Sequence, residues 1–387
     1  MEVRVLSPAQ FITMRKIDRA NNQTTNLLDS KNIYKRPTID TNKQINLFLA
    51  GTGLIGSTLI RQIKNLKYPI RVCGLINSNN MYFTVNGISL QDWEVELKHC
   101  KKAIIREFIE DIIQSQLPNR VFVDCTASDG VVDNYETLLR AGIHIITSNK
   151  KANSRSLEMY NTLHDLVKEN NTCFLYETNV GAGLPIINTI HNLVNSGDEI
   201  VKIEGVFSGT ISYIFNSFLS SDKKFSEIVY EARESGFTEP DPRDDLNGQD
   251  VARKILILAR ESGFQLEPKQ IKVGSILPDV CFLSDSLDTF FSELEKLNDM
   301  FDKKRKTLID QSKKLQYIAS LKNGRAQTLL QEIPQDHQFY NLSGTDNVVS
   351  ISTKRYKDKP IVIKGPGAGA EVTAGGVLAD VVSIFYK

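Results

Sequence analysis

The run Ile45-Asn46-Leu47-Phe48-Leu49-Ala50 followed by Gly51-Thr52-Gly53-Leu54-Ile55-Gly56 leaves this chain few ways to fold. An apolar stretch of strand length, a GxGxxG turn, and then Leu59, Ile60 and Ile63 at helical spacing read as strand, tight turn and helix. In such a turn Gly51 permits the bend. Gly53 lets a pyrophosphate approach the backbone, and Gly56 lets the helix lie close on the strand. A bare GxGxxG is a weak signal, but the flanking strand and helix make it a dinucleotide site, with Leu54 and Ile55 beside the cofactor.

The segments after this turn repeat the theme, and the fold class is α/β: a Rossmann-type cofactor domain over 44–184. A strand at 70–76 ends in Asn77-Ser78-Asn79-Asn80, where an acid would bind the ribose of NAD or an arginine the extra phosphate of NADP. Neither residue is there, so the cofactor is NADP or NAD. Helices are expected at about 90–99 and 108–117, the second stopped by Pro118. A strand at 120–125 delivers Thr126, Ala127 and Ser128 to its carboxyl end, where parallel sheets bind ligands. They read equally well as contacts to the nicotinamide ribose and as a plain helix cap at Ser128 or Asp129. A strand at 144–148 ends in Asn149-Lys150-Lys151, with a helix from about 154 to 169. Lysines at a strand end are often merely solvated.

A second, α+β domain is expected to bind substrate over 185–312, with helices near 186–196 and 226–235 and a strand at 200–207. Ser208-Gly209-Thr210 opens a helix there and turns backbone N–H groups toward an anion. One further helical stretch covers 285–304. Strands with tight turns then fill 313–364, a strand-rich region able to pair across a two-fold axis.

Between those helices lies the most unusual stretch, Glu239-Pro240-Asp241-Pro242-Arg243-Asp244-Asp245-Leu246-Asn247-Gly248-Gln249-Asp250. Its prolines make the first half a rigid acidic loop. Asn247 and Asp250 have capping-box spacing, and Val251, Ile255, Leu258 and Ala259 continue as a helix to Gly263. Asp250 and Lys254 fall one turn apart on one face. Alone, the pair is an ordinary surface ion pair worth a few tenths of a kcal/mol. Crowding Glu239, Asp244, Asp245 and Asp250 near one lysine makes sense for a site that holds a cationic ligand or tunes a proton donor.

Balanced charge, 47 basic against 46 acidic residues without a basic tract, argues against nucleic-acid and membrane-surface partners. No membrane-length apolar run or signal peptide is present. The five cysteines form no CxxC pair, which suits a reducing cytoplasm, and the five histidines form no zinc motif.

The acidic stretch closely resembles the substrate-binding signature of homoserine dehydrogenases. With Phe174-Leu175-Tyr176-Glu177-Thr178-Asn179-Val180-Gly181-Ala182-Gly183-Leu184-Pro185 upstream, the chain is most similar to the dehydrogenase half of bifunctional aspartokinase–homoserine dehydrogenases, from about Asn46 onward. The resemblance implies reversible NAD(P)H-dependent reduction of L-aspartate 4-semialdehyde to L-homoserine, toward threonine and methionine. It implies Lys254 as proton donor, its pKa set by Asp245, Asp250 and Lys150, with Lys150 beside the nicotinamide and Lys151 a bystander. It further implies Glu239 on the substrate ammonium, Gly209 and Thr210 on its amino-acid end, and Gly369 by the pyrophosphate, so that 365–387 completes the cofactor domain. Glycines 181 and 183 serve a tight turn alone, or leave backbone carbonyls exposed beside Glu177 as hard ligands suited to a hard cation. The resemblance adds a structural sodium ion on Glu177 and the carbonyls of Val180, Ala182 and Leu184, and a homodimer. Residues 1–43 read as a tail or linker too short for a kinase, so no kinase activity is expected. Two other readings are another amino-acid dehydrogenase and a non-catalytic nucleotide-sensing protein on the same fold.

Overall fold

The computed structural model describes residues 43–386 apart from 67 and 343, so nearly all of the expected tail lies outside the described residues. Two six-stranded sheets organise them. The first contains β1 (Ile45–Ala50), β2 (Ile70–Ile76), β3 (Met81–Phe83), β4 (Arg120–Asp124), β5 (His144–Thr147) and β6 (Phe174–Leu175) in the order β3-β2-β1-β4-β5-β6. All of its pairings are parallel except β2 with β3. Every residue of β1 is buried, as expected for a strand covered on both faces. Asn46 is the polar exception. Its amide donates to Pro118 O and accepts from Arg71 Nε, so Arg71 serves structure rather than cofactor.

The chain order reverses between β1 and β4, and there the GxGxxG turn sits. Gly51 has φ of +90°, and a Cβ on it would lie 2.8 Å from Cys125 O. A Cβ on Gly56 would fall 1.9 Å from Gly51 O, so the nucleotide helix (Leu54–Lys64) could not approach β1. Gly53 faces open space.

The second sheet joins β7 (Ile200–Val206), β8 (Lys272–Val273), β9 (Lys314–Lys322), β10 (Arg325–Ile333), β11 (Asp346–Thr353) and β12 (Ile361–Pro366) in the order β12-β11-β7-β9-β10-β8. β7 and β8 come from the segment read as substrate domain, and β9 to β12 from the segment read as a separate strand-rich region. The two segments therefore share one sheet. The closing helix (Ala370–Ser383) returns to the first domain, where Glu371 bonds Arg61 and Gln62 of the nucleotide helix and Asp380 accepts from Glu177 N.

Between the sheets runs the central helix, Gln249–Glu261. Leu256 and Ile257 are buried as fully as Val251, Ile255, Leu258 and Ala259, because the helix is covered on all sides rather than on one face. The expected capping box does not form. Gly248 is the N-cap, in left-handed conformation, while Asn247 Oδ1 accepts from Gln249 N and Asp250 is left for other partners. The acidic loop is also less loop than expected: Asp241 caps a short helix, Pro242–Leu246, with proline in its first turn. Elsewhere the helix expected at 285–304 is two, Leu287–Glu295 and Asn298–Asp310, and that at 154–169 is split into Lys151–Ser154 and Leu157–Glu169. Ser156, which caps the latter, interrupts the run.

Gly248 admits nothing larger. A Cβ there would lie 2.2 Å from the Tyr317 hydroxyl, which bonds Gly274 O and Thr328 on the sheet. Gly248→Ala is expected to destabilise the protein by ~1–3 kcal/mol, combining a left-handed alanine with overpacking. In urea denaturation the Gly248→Ala/Tyr317→Phe double variant should lose less than the sum of the single losses, because it lacks the atom that clashes.

Candidate active site

Three adjoining cavities, about 490, 530 and 520 Å³, share Thr126 and Ala127 and run from the GxGxxG turn to the acidic stretch. The first lies between Gly51–Gly53, the end of β2 at Asn77 and Ser78, and Thr126–Ser128. Open space at Gly53 and the exposed N-terminus of the nucleotide helix fit a dinucleotide pyrophosphate. At the ribose end Asn77 folds on itself, its Oδ1 accepting from Asn79 N and Asn80 N at 2.8 and 2.9 Å. The second cavity brings Leu54, Ile55, Lys150, Glu239, Lys254 and Gly369 to one space. Residues far apart in the chain thus meet in one cavity.

The central helix carries Lys254 into this cleft. Its side chain is 11% exposed, and its Nζ donates to Phe207 O at 2.8 Å and pairs with Asp250 Oδ2 at 2.7 Å. Two of three ammonium hydrogens are thereby fixed, leaving the third for a ligand. Asp250 Oδ1 also faces Lys150 Nζ at 3.5 Å, so one carboxylate joins lysines from both domains. Burial pushes the Lys254 pKa down, with Lys150 adding to the effect while Asp250 and Asp245 oppose it. Burial also pushes the Asp250 carboxyl up, but Lys254 and Lys150 outweigh it and hold that group far below the ordinary range. Asp250 remains anionic; Lys254 is a weakened ammonium, which suits a proton donor.

Asp245 accepts from Glu239 N at 2.8 Å, and burial raises its pKa. That bond sets the acidic turn so that the exposed Glu239 side chain reaches the cavity along with Asp244. Ser208, rather than Gly209 or Thr210, lines the cavity; it caps the helix Gly209–Ser220 by accepting from Ile211 N. Thr210 Oγ1 bonds Phe237 O at 2.7 Å, and a Cβ on Gly209 would meet Thr345 at 3.1 Å. These two therefore shape the turn from behind. Lys151 pairs with Asp129, which sets it apart from Lys150.

Several participants gave little sign of themselves in the sequence. Phe207 acts through its carbonyl, which no side chain advertises. Asp124, fully buried at the end of β4, accepts from Thr126 N at 2.7 Å, Tyr135 Oη at 2.7 Å and Asn149 Nδ2 at 3.1 Å, and so fixes the turns bearing Thr126 and Lys150. An acid in an otherwise apolar strand was its only signal. Burial pushes the Cys125 thiol up to about 12, which removes it as a nucleophile.

The Glu177 carboxylate is already engaged, accepting from Ile187 N at 2.7 Å and Asn188 N at 2.8 Å at the start of the helix Ile187–Asn195. Its part is that of a helix cap at the domain boundary. Among the described residues no group of three or more His, Cys, Asp and Glu could hold a metal ion. Gly181 and Ala182, at φ of +78° and +54°, curl this loop.

Comparison with known proteins agrees with this geometry. The family model described as homoserine dehydrogenase matches residues 185–382, and that described as homoserine dehydrogenase, NAD binding domain, matches 51–177. A chloroplastic bifunctional aspartokinase/homoserine dehydrogenase 2 of Zea mays is 43% identical over 348 residues, covering 87% of this chain but 38% of its own length. The chain thus spans well under half the length of such bifunctional relatives. A homoserine dehydrogenase of Schizosaccharomyces pombe is 37% identical over 361 residues, with 89% and 96% of the two chains covered. Among solved structures, a protein of unknown function from Candida auris superposes with a TM-score of 0.82 at 36% identity, over 89% of this chain and 99% of that one. A hyperthermophilic archaeal homoserine dehydrogenase in complex with NADPH reaches 0.69 at 22% identity, over 88% and 97%, a likeness of fold.

Burying Lys254 has a thermodynamic signature. A lysine whose folded-state pKa lies below its ordinary 10.5 costs stability at low pH, and the cost disappears as pH rises toward that value. The change in melting temperature caused by Lys254→Met is therefore expected to be more favourable at pH 7 than at pH 10. Calorimetry at both pH values checks the sign.

Proposed function

Because the chain belongs to the homoserine dehydrogenase family, we propose that it catalyses the reversible NAD(P)H-dependent reduction of L-aspartate 4-semialdehyde to L-homoserine. The observation that carries this reading is Lys254, buried between the domains and facing the same cavity as the nucleotide-binding residues Leu54, Ile55 and Gly369. A reduced nicotinamide bound in the cleft would supply the hydride.

The chain's own residues do the rest. Lys254 gives its remaining N–H to the substrate carbonyl oxygen and transfers that proton as negative charge develops there. Its lowered pKa makes the proton easier to release, and Asp250 keeps the group oriented while it is charged. Lys150, held against Asp250, adds positive charge beside the developing alkoxide. Glu239 takes the substrate ammonium. The Ser208 turn at the N-terminus of the helix Gly209–Ser220 receives the carboxylate, since a helix start favours an anion.

The finer assignments are part of the same proposal. A monovalent cation, for which we propose sodium, would be held by Glu177 and the carbonyls of Val180, Ala182 and Leu184, and would fix the hinge without entering the chemistry. The cytoplasm is supported by the free state of all five cysteines, and no described helix is long and apolar enough to cross a membrane. A homodimer is supported by the edge strand β12, which offers unpaired backbone groups and the half-exposed Val362. Light scattering after size exclusion should then give twice the chain's 43.5 kDa, and the monomer mass would contradict it.

The decisive assay follows nicotinamide absorbance with aspartate semialdehyde and each reduced cofactor. Wild-type chain should turn over with at least one of them. Lys254→Ala should lose more than ~90% of kcat, at least ~1.4 kcal/mol of barrier, while cofactor affinity stays nearly unchanged. Cofactor binding without turnover of this aldehyde would favour the nucleotide-sensing reading instead.

A further inference from the structure

The two lysines that meet at Asp250 stand on different domains, yet the last turn of the central helix is tied to the cofactor domain. Arg260, 5% exposed, donates from Nη1 to Asn153 O at 2.8 Å and from Nη2 to Arg155 O at 2.9 Å. Its Nε and Nη2 also close the helix by donating to Leu266 O at 3.1 and 2.9 Å, and its guanidinium lies 5.1 Å over the Tyr160 ring. Next to it Glu261, also buried, accepts from Tyr160 at 2.9 Å and Tyr176 at 2.7 Å and pairs with His191.

The carbonyls that Arg260 grips belong to the turn following Lys150. Ser154 N bonds Lys150 O at 3.1 Å and Arg155 N bonds Lys151 O at 3.1 Å, so Lys150 and the gripped carbonyls form one rigid unit. Asn153 extends it to Asn179, which bonds Thr147 O on β5. On the helix side, six residues of rise, about 9 Å, separate Arg260 from Lys254. A stiff helix and a stiff turn are thus riveted at one end, and their free ends present Lys254 and Lys150 to the same carboxylate.

We propose that Arg260, seated against the Tyr160 ring that Glu261 holds, is a positioning residue that sets the spacing between Lys150 and Lys254 across the cleft. It touches neither substrate nor cofactor. The planar fork reaches two carbonyls of one domain while a third closes its own helix; a single ammonium cannot satisfy that geometry. This inference rests on the homoserine dehydrogenase reading for its kinetic consequence alone.

The test compares wild type with Arg260→Lys. Lys254 faces Asp250 on its own helix, Asp245 and Glu239 from the acidic turn, and Lys150 from the other domain. Lys150 alone among these lowers its proton affinity by charge, so letting Lys150 recede makes Lys254 more basic. The pH dependence of Lys254 acylation by an amine reagent, read by peptide mass spectrometry without substrate or cofactor, should shift its midpoint upward by about half a unit. In the aldehyde assay kcat should fall at least tenfold with the KM for NADPH within twofold, because a small misplacement of a reacting group is costly. Midpoint and kcat both at wild-type values, with only a lowered melting temperature, would make Arg260 a merely structural residue; one of them unmoved also overturns the proposed spacing role. If Arg260→Lys does not fold, Tyr160→Phe, which removes one hydroxyl from Glu261, is read in its place, with a two- to threefold fall in kcat and a smaller upward shift expected. Absence of wild-type turnover would defeat the functional reading but leave the acylation midpoint to decide the spacing.

Discussion

An ammonium group taken out of water costs several kcal/mol unless the protein returns what water gave it. Lys254 recovers this from one carbonyl and one carboxylate, and much of the architecture serves to deliver those two acceptors. Phe207 O is available because β7 ends there and the next helix starts at Gly209. Asp250 is available because Gly248, not Asn247, opens the central helix, which places the carboxylate one turn before the lysine rather than in a cap. Asn347 Nδ2 also donates to Phe207 O, at 3.4 Å, from the start of β11. Strand end, helix start and neighbouring strand converge on one nitrogen.

The parts of this arrangement that repeat or alternate were legible in the sequence. The GxGxxG turn, the parallel strands around it and the turn at Gly263 are local patterns, and the structure contains them near the expected positions. The site residues Lys254, Asp250, Lys150 and Glu239 also meet in one cleft, although it was the resemblance that singled out Lys150 and the crowding of carboxylates that singled out Glu239. The features that stayed hidden did so for physical reasons. A polar stripe through Asp250, Lys254 and Glu261 reads as a solvent face, yet Lys254 and Glu261 are buried along with Leu256 and Ile257 on the other side of the helix. The single sheet shared by β7 to β12 depends on long-range pairing that turn signals cannot report. Glu177 accepts from the amides of Ile187 and Asn188, ten and eleven residues along the chain, a pairing that no local pattern reports.

Five carboxylates crowded between residues 239 and 250 would repel one another if all were free, and the structure shows how most of that repulsion is removed. Asp250 lies between two lysines, and Asp245 is turned inward to accept an amide, its proton affinity raised by burial. Asp241 is bound by Arg243 and caps its own helix. Glu239 and Asp244 remain at the cavity mouth, which Lys151 and the exposed Arg253 also line. On the proposed reading these two carboxylates favour an ammonium. An ammonium held 4 Å from one such group gains about 4 kcal/mol at an effective dielectric of 20, whereas a second carboxylate on the ligand is repelled by a similar amount. A substrate carrying an ammonium and a neutral aldehyde satisfies the mouth and leaves the carbonyl free for Lys254.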